Sequence, residues 1–173
     1  MSSYTKLPVI IKMSIEHFNN CVDKHSDGVY RFILKNVKDE EKARDIVQDS
    51  FEKLWQKLET VSPDKMKSYL YTTAYHTMID AIRKEKHDTG VDLSNYQNYA
   101  HSEQYTDLNE VLHEAAEKLP AIQRSVLMLR DYEGYSYKEI AEITGLNESQ
   151  VKVYIYRART FLKNYIGKIE ILI

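Results

Sequence analysis

Apolar residues recur at three- and four-residue spacings along most of the chain, the period of helices with one buried stripe. In the first half, Ser14 is placed to cap a helix carrying Ile15, Phe18 and Val22. A second segment carries Val29, Phe32, Ile33 and Val37. Asp39 caps a third, with Ala43, Ile46, Val47, Phe51, Leu54 and Leu58 on one stripe. Ser62-Pro63 is a cap followed by proline at the first helical position. It predicts a fourth helix through Met66, Leu70, Ala74, Met78 and Ile82.

The second half predicts four more helices. Leu108 to Leu119 forms the first, and Pro120 ends it and opens the next, which carries Ile122, Val126, Leu127 and Leu129 and stops near Gly134. Ser136 with Glu139 three residues later is a capping-box pattern. Its short helix ends at Gly145, a candidate for the left-handed position after a helix. Asn147 then caps a last helix, with Gln150 three residues on and Val151, Ile155, Ala158 and Leu162 on its buried side.

Between the halves, residues 88–107 show no period and are rich in Asn, Gln, Ser and Tyr. They hold four acids and no Lys or Arg. The expected architecture is therefore all-α. Two small helical domains, 1–87 and 108–173, are joined by an acidic flexible linker, and the second is a four-helix domain. Charge sharpens this division. Residues 1–87 hold 15 bases against 13 acids, and residues 108–173 hold nine of each, inside a total of −2 over 173 residues. That total excludes a uniformly basic coat protein but not a DNA reader with sorted charges. One Cys excludes a disulfide scaffold and fits a reducing cytosol. No apolar run approaches the roughly 20 residues of a membrane span, and the polar start lacks a signal-peptide stretch. A cytoplasmic protein with no membrane insertion is expected.

The short helix and the last helix are joined by Thr144-Gly145-Leu146-Asn147, the spacing of a helix-turn-helix. Ala141 stands where the two helices should cross closely, and Val151 faces back toward the first, with Ile140 and Leu146 filling the core. Residues 147–168 hold Lys152, Arg157, Arg159, Lys163 and Lys168 against one acid, Glu148. Bases at the end of a helix also favour its macrodipole. Together with the turn spacing, however, they predict a recognition helix in duplex DNA. Ser149, Gln150, Lys152, Val153, Tyr156, Arg157 and Arg159 are its candidate contacts.

In the first domain, Tyr69, Tyr71 and Tyr75 precede Arg83, Lys84 and Lys86. Rings that stack on unpaired bases, next to cations that attract phosphates, suit single-stranded or melted DNA. Half-buried core tyrosines with their hydroxyls in water are the alternative.

Three segments resemble the bacterial sigma factors, and the two-domain length resembles their extracytoplasmic-function (ECF) group. Asp45 to Trp55 (DIVQDSFEKLW) is similar to the family's core-binding helix. Tyr69 to Lys86 (YLYTTAYHTMIDAIRKEK) is similar to its promoter-melting helix. Leu119 to Leu162 is similar to its region four. The resemblance implies a subunit that redirects bacterial RNA polymerase core to promoter DNA and helps melt the −10 region. It implies that the helix of Asp45, Gln48, Asp49, Phe51, Glu52 and Trp55 docks on the polymerase's clamp helices, although Phe51 itself reads as a core residue. It implies that the loop Thr60 to Met66 captures a flipped-out −10 base, and that Thr60, Ser62, Lys65, Lys67, Tyr71, Tyr75, His76, Arg83, Lys84 and Lys86 serve −10 binding and melting. The helix-turn-helix would read the −35 element, region four would touch the polymerase flap, and the linker would thread toward the RNA exit path. An anti-sigma partner is expected. Two positions depart from the pattern. His76 stands where the family often has Asn, and Val153 is apolar where a polar base reader is common, so it could meet a thymine methyl.

His17, Cys21 and His25 recur every four residues and are metal-ligand types, but the set is short of a closed zinc site. Asp80 and His76 are four apart, an ordinary surface pair. No phosphate loop, nucleophile elbow or metalloprotease motif is present. No enzymatic activity, cofactor, metal or small-molecule substrate is expected. A free-standing helix-turn-helix regulator and a helical adaptor are the competing functions. Neither needs both the Asp45–Trp55 block and the aromatic-basic helix.

Overall fold

A computed structural model of the chain describes residues 9–89 and 108–170, with side chains over 14–85 and 111–167. The described residues are helical apart from short turns. The chain divides into two compact units, Met1–Ile79 and Asp80–Ile173. Their division falls inside a continuous helix, several residues before the boundary at 87 that the pattern suggests. The linker expected over 88–107 lies outside the described residues, except for Asp88 and Thr89 at that helix's end.

The first unit is built from α1 (Val9–Val37), α2 (Glu40–Gln56), a 3₁₀ turn (Pro63–Lys65) and the start of α3 (Met66–Thr89). The two segments expected before Val37 are one helix of 29 residues, and Ser14 lies within it rather than at its cap. Gly28 costs a helix interior about 1 kcal/mol relative to Ala. Burial of Val29, Phe32 and Ile33 immediately after it outweighs that cost. The chain reverses at Lys38, whose φ of +57° is unusual for a residue with a Cβ. Asp39 then caps α2 as expected, accepting the Lys42 N–H at 3.0 Å.

α2 packs against α1 through Ala43, Ile46 and Leu54. Ser50 shares this buried face because its hydroxyl donates to the Ile46 carbonyl at 2.6 Å. Ser62-Pro63 opens the 3₁₀ turn rather than the long helix, with no side-chain cap bond, and α3 starts at Met66. Leu70, Tyr71, Ala74, Tyr75 and Met78 complete the core of this unit.

In the second unit, α7 (Glu148–Glu170) packs against α4 (Leu108–Glu117), α5 (Ala121–Asp131) and α6 (Tyr137–Thr144). Val151, Ile155 and Ala158 are its buried stripe. Leu162 is partly buried on Leu119, Leu127 and Ala158. Arg124 is only 6% exposed. Its Nε donates to the Ala116 carbonyl at 2.9 Å, and its Nη2 to those of Glu117 at 2.7 Å and Leu119 at 2.8 Å. One guanidinium thus ties together three carbonyls at and just past the end of α4, where helical donors run out. Burial pushes its pKa below the usual arginine value.

Candidate functional site

The helix-turn-helix is fixed by two reciprocal caps. Ser136 Oγ accepts the Glu139 N–H at 3.2 Å, while the Glu139 carboxylate accepts the Ser136 N–H at 2.8 Å. Gly145 closes α6 at φ +75°. Asn147 Oδ1 then accepts the Gln150 N–H at 2.8 Å, and Gln150 Oε1 accepts the Asn147 N–H at 3.0 Å. This fixes where α7 begins and therefore which residues face outward. The buried face of α6 is Ile140, Ile143 and Thr144. Ala141, expected at a close crossing, is half-buried beside it.

Ser149, Gln150, Lys152, Val153, Tyr156 and Arg157 are all exposed on α7. Val153 and Tyr156 stand out as large apolar side chains in solvent, at 44% and 72% exposure. Arg159 is exposed but engaged. Its Nη2 donates to Asp131 Oδ1 at 2.5 Å, its Nε lies 3.4 Å from Oδ2, and these bonds push its pKa up. Beside it runs an open groove of about 510 Å³ that includes Tyr137, Lys152, Tyr156 and Lys163. Two cations approach the Tyr137 ring, Arg130 at 4.8 Å and Lys152 at 5.7 Å from its centroid. Sequence spacing did not single out Arg130, because it lies on α5 outside the helix-turn-helix.

In the first unit, Asp45, Gln48, Asp49, Glu52 and Trp55 are exposed, and their spacing lays them along one face of α2. Trp55 rests edge-on against Phe18, and Phe51 is half-buried on the same ring. The following loop exposes Thr60, Ser62 and Lys65, with Lys67 half-buried and 5.8 Å from the Tyr71 ring centroid.

Tyr71 and Tyr75 correct the expectation of an aromatic platform. They are 0% and 5% exposed, and Tyr71 packs 5.8 Å from the Phe32 ring. Their positions flank Leu70, Ala74 and Met78, so the buried stripe of α3 is two residues wide and takes both rings inward. Neither offers a face to a base. His76, beside Tyr75, is exposed. Arg83 and Lys84 are exposed near the end of α3, and the Lys86 side chain lies outside the described ones.

His17, Cys21 and His25 share a face of α1. They line a small cavity of about 210 Å³ with Lys24, Met66 and Lys67. Cys21 is buried, and burial pushes its thiol pKa up, against the reactive thiolate. Among the described residues, no three His, Cys, Asp or Glu side chains are grouped to hold a metal ion. No described helix is long and apolar enough to cross a membrane.

Residues 21–87 match the family model for sigma-70 region 2, and residues 109–162 the model for sigma-70, region 4. The chain is 34% identical over 151 residues to RNA polymerase sigma factor SigV of Bacillus subtilis (strain 168), covering 86% of this chain and 90% of that protein. The chain belongs to the ECF sigma-70 family. As a sigma factor it directs RNA polymerase to specific promoters for the initiation of transcription, and it is not an enzyme. A second relative, ECF RNA polymerase sigma factor SigM of the same organism, is 31% identical over 144 residues, covering 80% of this chain and 88% of that protein. The fold is shared with the sigma factor RpoE of Bartonella quintana, solved in complex with the anti-sigma factor NepR. The TM-score is 0.70 at 24% identity, over 87% of this sigma factor and 96% of that chain.

Proposed function

We propose a division of labour among the exposed faces of this sigma factor. Asp45, Gln48, Asp49, Glu52 and Trp55 on α2 dock on core polymerase, the acids steering toward a basic coil and Trp55 anchoring. Thr60, Ser62, Lys65 and Lys67, with His76 on α3, engage the melted −10 strand. Arg83, Lys84 and Lys86 attract its phosphates. The start of α7 enters the −35 major groove. Ser149, Gln150 and Val153 meet base edges there, and Lys152, Tyr156 and Arg157 reach the backbone.

The observation that carries this reading is the contrast between two fixed helix faces. The acidic face of α2 ends in a half-exposed tryptophan, and the face of α7 is basic and set by the Asn147–Gln150 cap. The protein acts in the cytoplasm, where its polymerase and DNA are. It is held by an anti-sigma partner when idle, a proposal supported by the NepR complex of the RpoE structure that shares its fold.

The test is run-off transcription with purified bacterial core polymerase on a library of promoters. Addition of the chain should produce initiation from a defined subset sharing −35 and −10 elements. No specific initiation, together with tight duplex binding by the chain alone, would establish a free-standing regulator instead.

A further inference from the structure

The ion pair between Asp131 and Arg159 joins the end of α5 to the middle of α7, across 28 residues of sequence. The Arg44–Glu40 and Lys118–Glu114 pairs differ from it, because each joins residues four apart on one helix. Both partners reach solvent, with side-chain exposures of 37% for Asp131 and 52% for Arg159. The guanidinium faces the carboxylate with two nitrogens, Nη2 and Nε, in the fork geometry that arginine also offers to a phosphate. It does so at the edge of the groove that carries Lys152, Lys163 and Tyr137.

Among the described side chains of α7, Arg159 is thus the base whose charge is met by an acid from another helix. A DNA phosphate arriving along this groove would compete with Asp131 for the same two nitrogens. We propose that Asp131 is an internal substitute for DNA phosphate, holding Arg159 and lowering the affinity of α7 for duplex DNA until a phosphate displaces it. The consequence is a sigma factor whose second unit binds DNA weakly by itself and gains from attachment to polymerase. The proposal rests on the reading of α7 as the −35 helix.

The experiment uses holoenzyme reconstituted from core polymerase and the full chain. Its probe is a fluorescein-labelled duplex selected by that holoenzyme from a library randomised over the −35 region. Binding is followed by anisotropy across a salt series for the native chain, Asp131→Asn, Arg159→Ala and the double variant. Asp131→Asn should bind about two- to fivefold tighter, the scale of an exposed ion pair released. Its log–log salt slope should stay close to the native one, because Arg159 neutralises the same phosphate in both complexes once Asp131 has been displaced. The gain should vanish when Asp131→Asn is made on Arg159→Ala.

An equal gain in the Arg159→Ala background would mean simple loss of a negative charge, and would overturn the proposal. Weaker binding by Asp131→Asn would also overturn it, because Asp131 would then be orienting Arg159 toward DNA. Arg157→Ala in the same titration separates the two levels. If it changes nothing, the −35 reading of α7 has failed. If it weakens binding while Asp131→Asn changes nothing, only the present proposal has failed. Should Asp131→Asn not fold, the native chain still decides. Its Arg159 Nε–H resonance should move on saturation with the duplex, and a fixed resonance refutes release.

Discussion

Trp55 meets the edge of Phe18 with ring centroids 5.0 Å apart and planes 74° from parallel, yet nearly half of the tryptophan surface remains in solvent. A contact of this kind contributes about 0.5–1.5 kcal/mol beyond burial. It fixes the ring's pose without covering its outer face, which suits an interface anchor. Trp55→Ala should weaken binding to core polymerase by at least about tenfold, the hot-spot scale, while the chain remains folded. An unchanged affinity would make Trp55 a packing residue of the α1–α2 junction. Trp55 is the chain's single tryptophan, so a fluorotryptophan label there reports core binding directly by fluorine NMR.

Arg124 holds the end of α4 by three backbone carbonyls. Arg124→Met keeps most of its apolar stem but removes the guanidinium from all three, and of these the Ala116 carbonyl keeps the Leu119 N–H at 3.2 Å. At about 1 kcal/mol or more for each of the other two, the loss is about 2–3 kcal/mol. In a unit of this size the melting temperature should fall by more than about 10 °C. Circular dichroism of the full chain measures it, and an unchanged melting curve would show that water replaces the guanidinium at no cost.

Gly145 sits at φ +75°, and a Cβ added there would meet nothing within 4 Å. The cost of Gly145→Ala is therefore backbone strain alone, about 1–2 kcal/mol. Gly145→Asn should lose less, because Asn tolerates the left-handed region. Promoter use by either folded variant should follow the native pattern, since no base-facing side chain is altered. Equal losses of stability for Ala and Asn would point to a steric cause instead.

The second unit was the more legible in sequence. Its caps at Ser136–Glu139 and Asn147–Gln150 and its Gly145 terminus are local signals, written within four residues of where they act. The first unit was harder because its decisions are made by packing. The residues before Val37 read as two segments, but burial of Val29, Phe32 and Ile33 carries one helix through Gly28. Tyr71 and Tyr75 read as surface aromatics, but a wide buried stripe takes them in. Lys38 in the left-handed region left no signal, since glycine or asparagine ordinarily marks such a turn. On α7, the exposure of Arg157 was legible from charge and period. The capture of Arg159 by Asp131 was not, because it joins elements 28 residues apart.

The division of labour between α2 and α7 is tested most directly by abortive initiation from one promoter and from its derivative lacking the −35 element. Native holoenzyme is compared with Trp55→Ala and Arg157→Ala. Arg157→Ala should reduce initiation on the complete promoter and have no effect on the derivative, whereas Trp55→Ala should reduce both at limiting core polymerase. If Arg157→Ala is equally defective on both templates, or if neither substitution affects either, the assignment of these two helix faces is wrong.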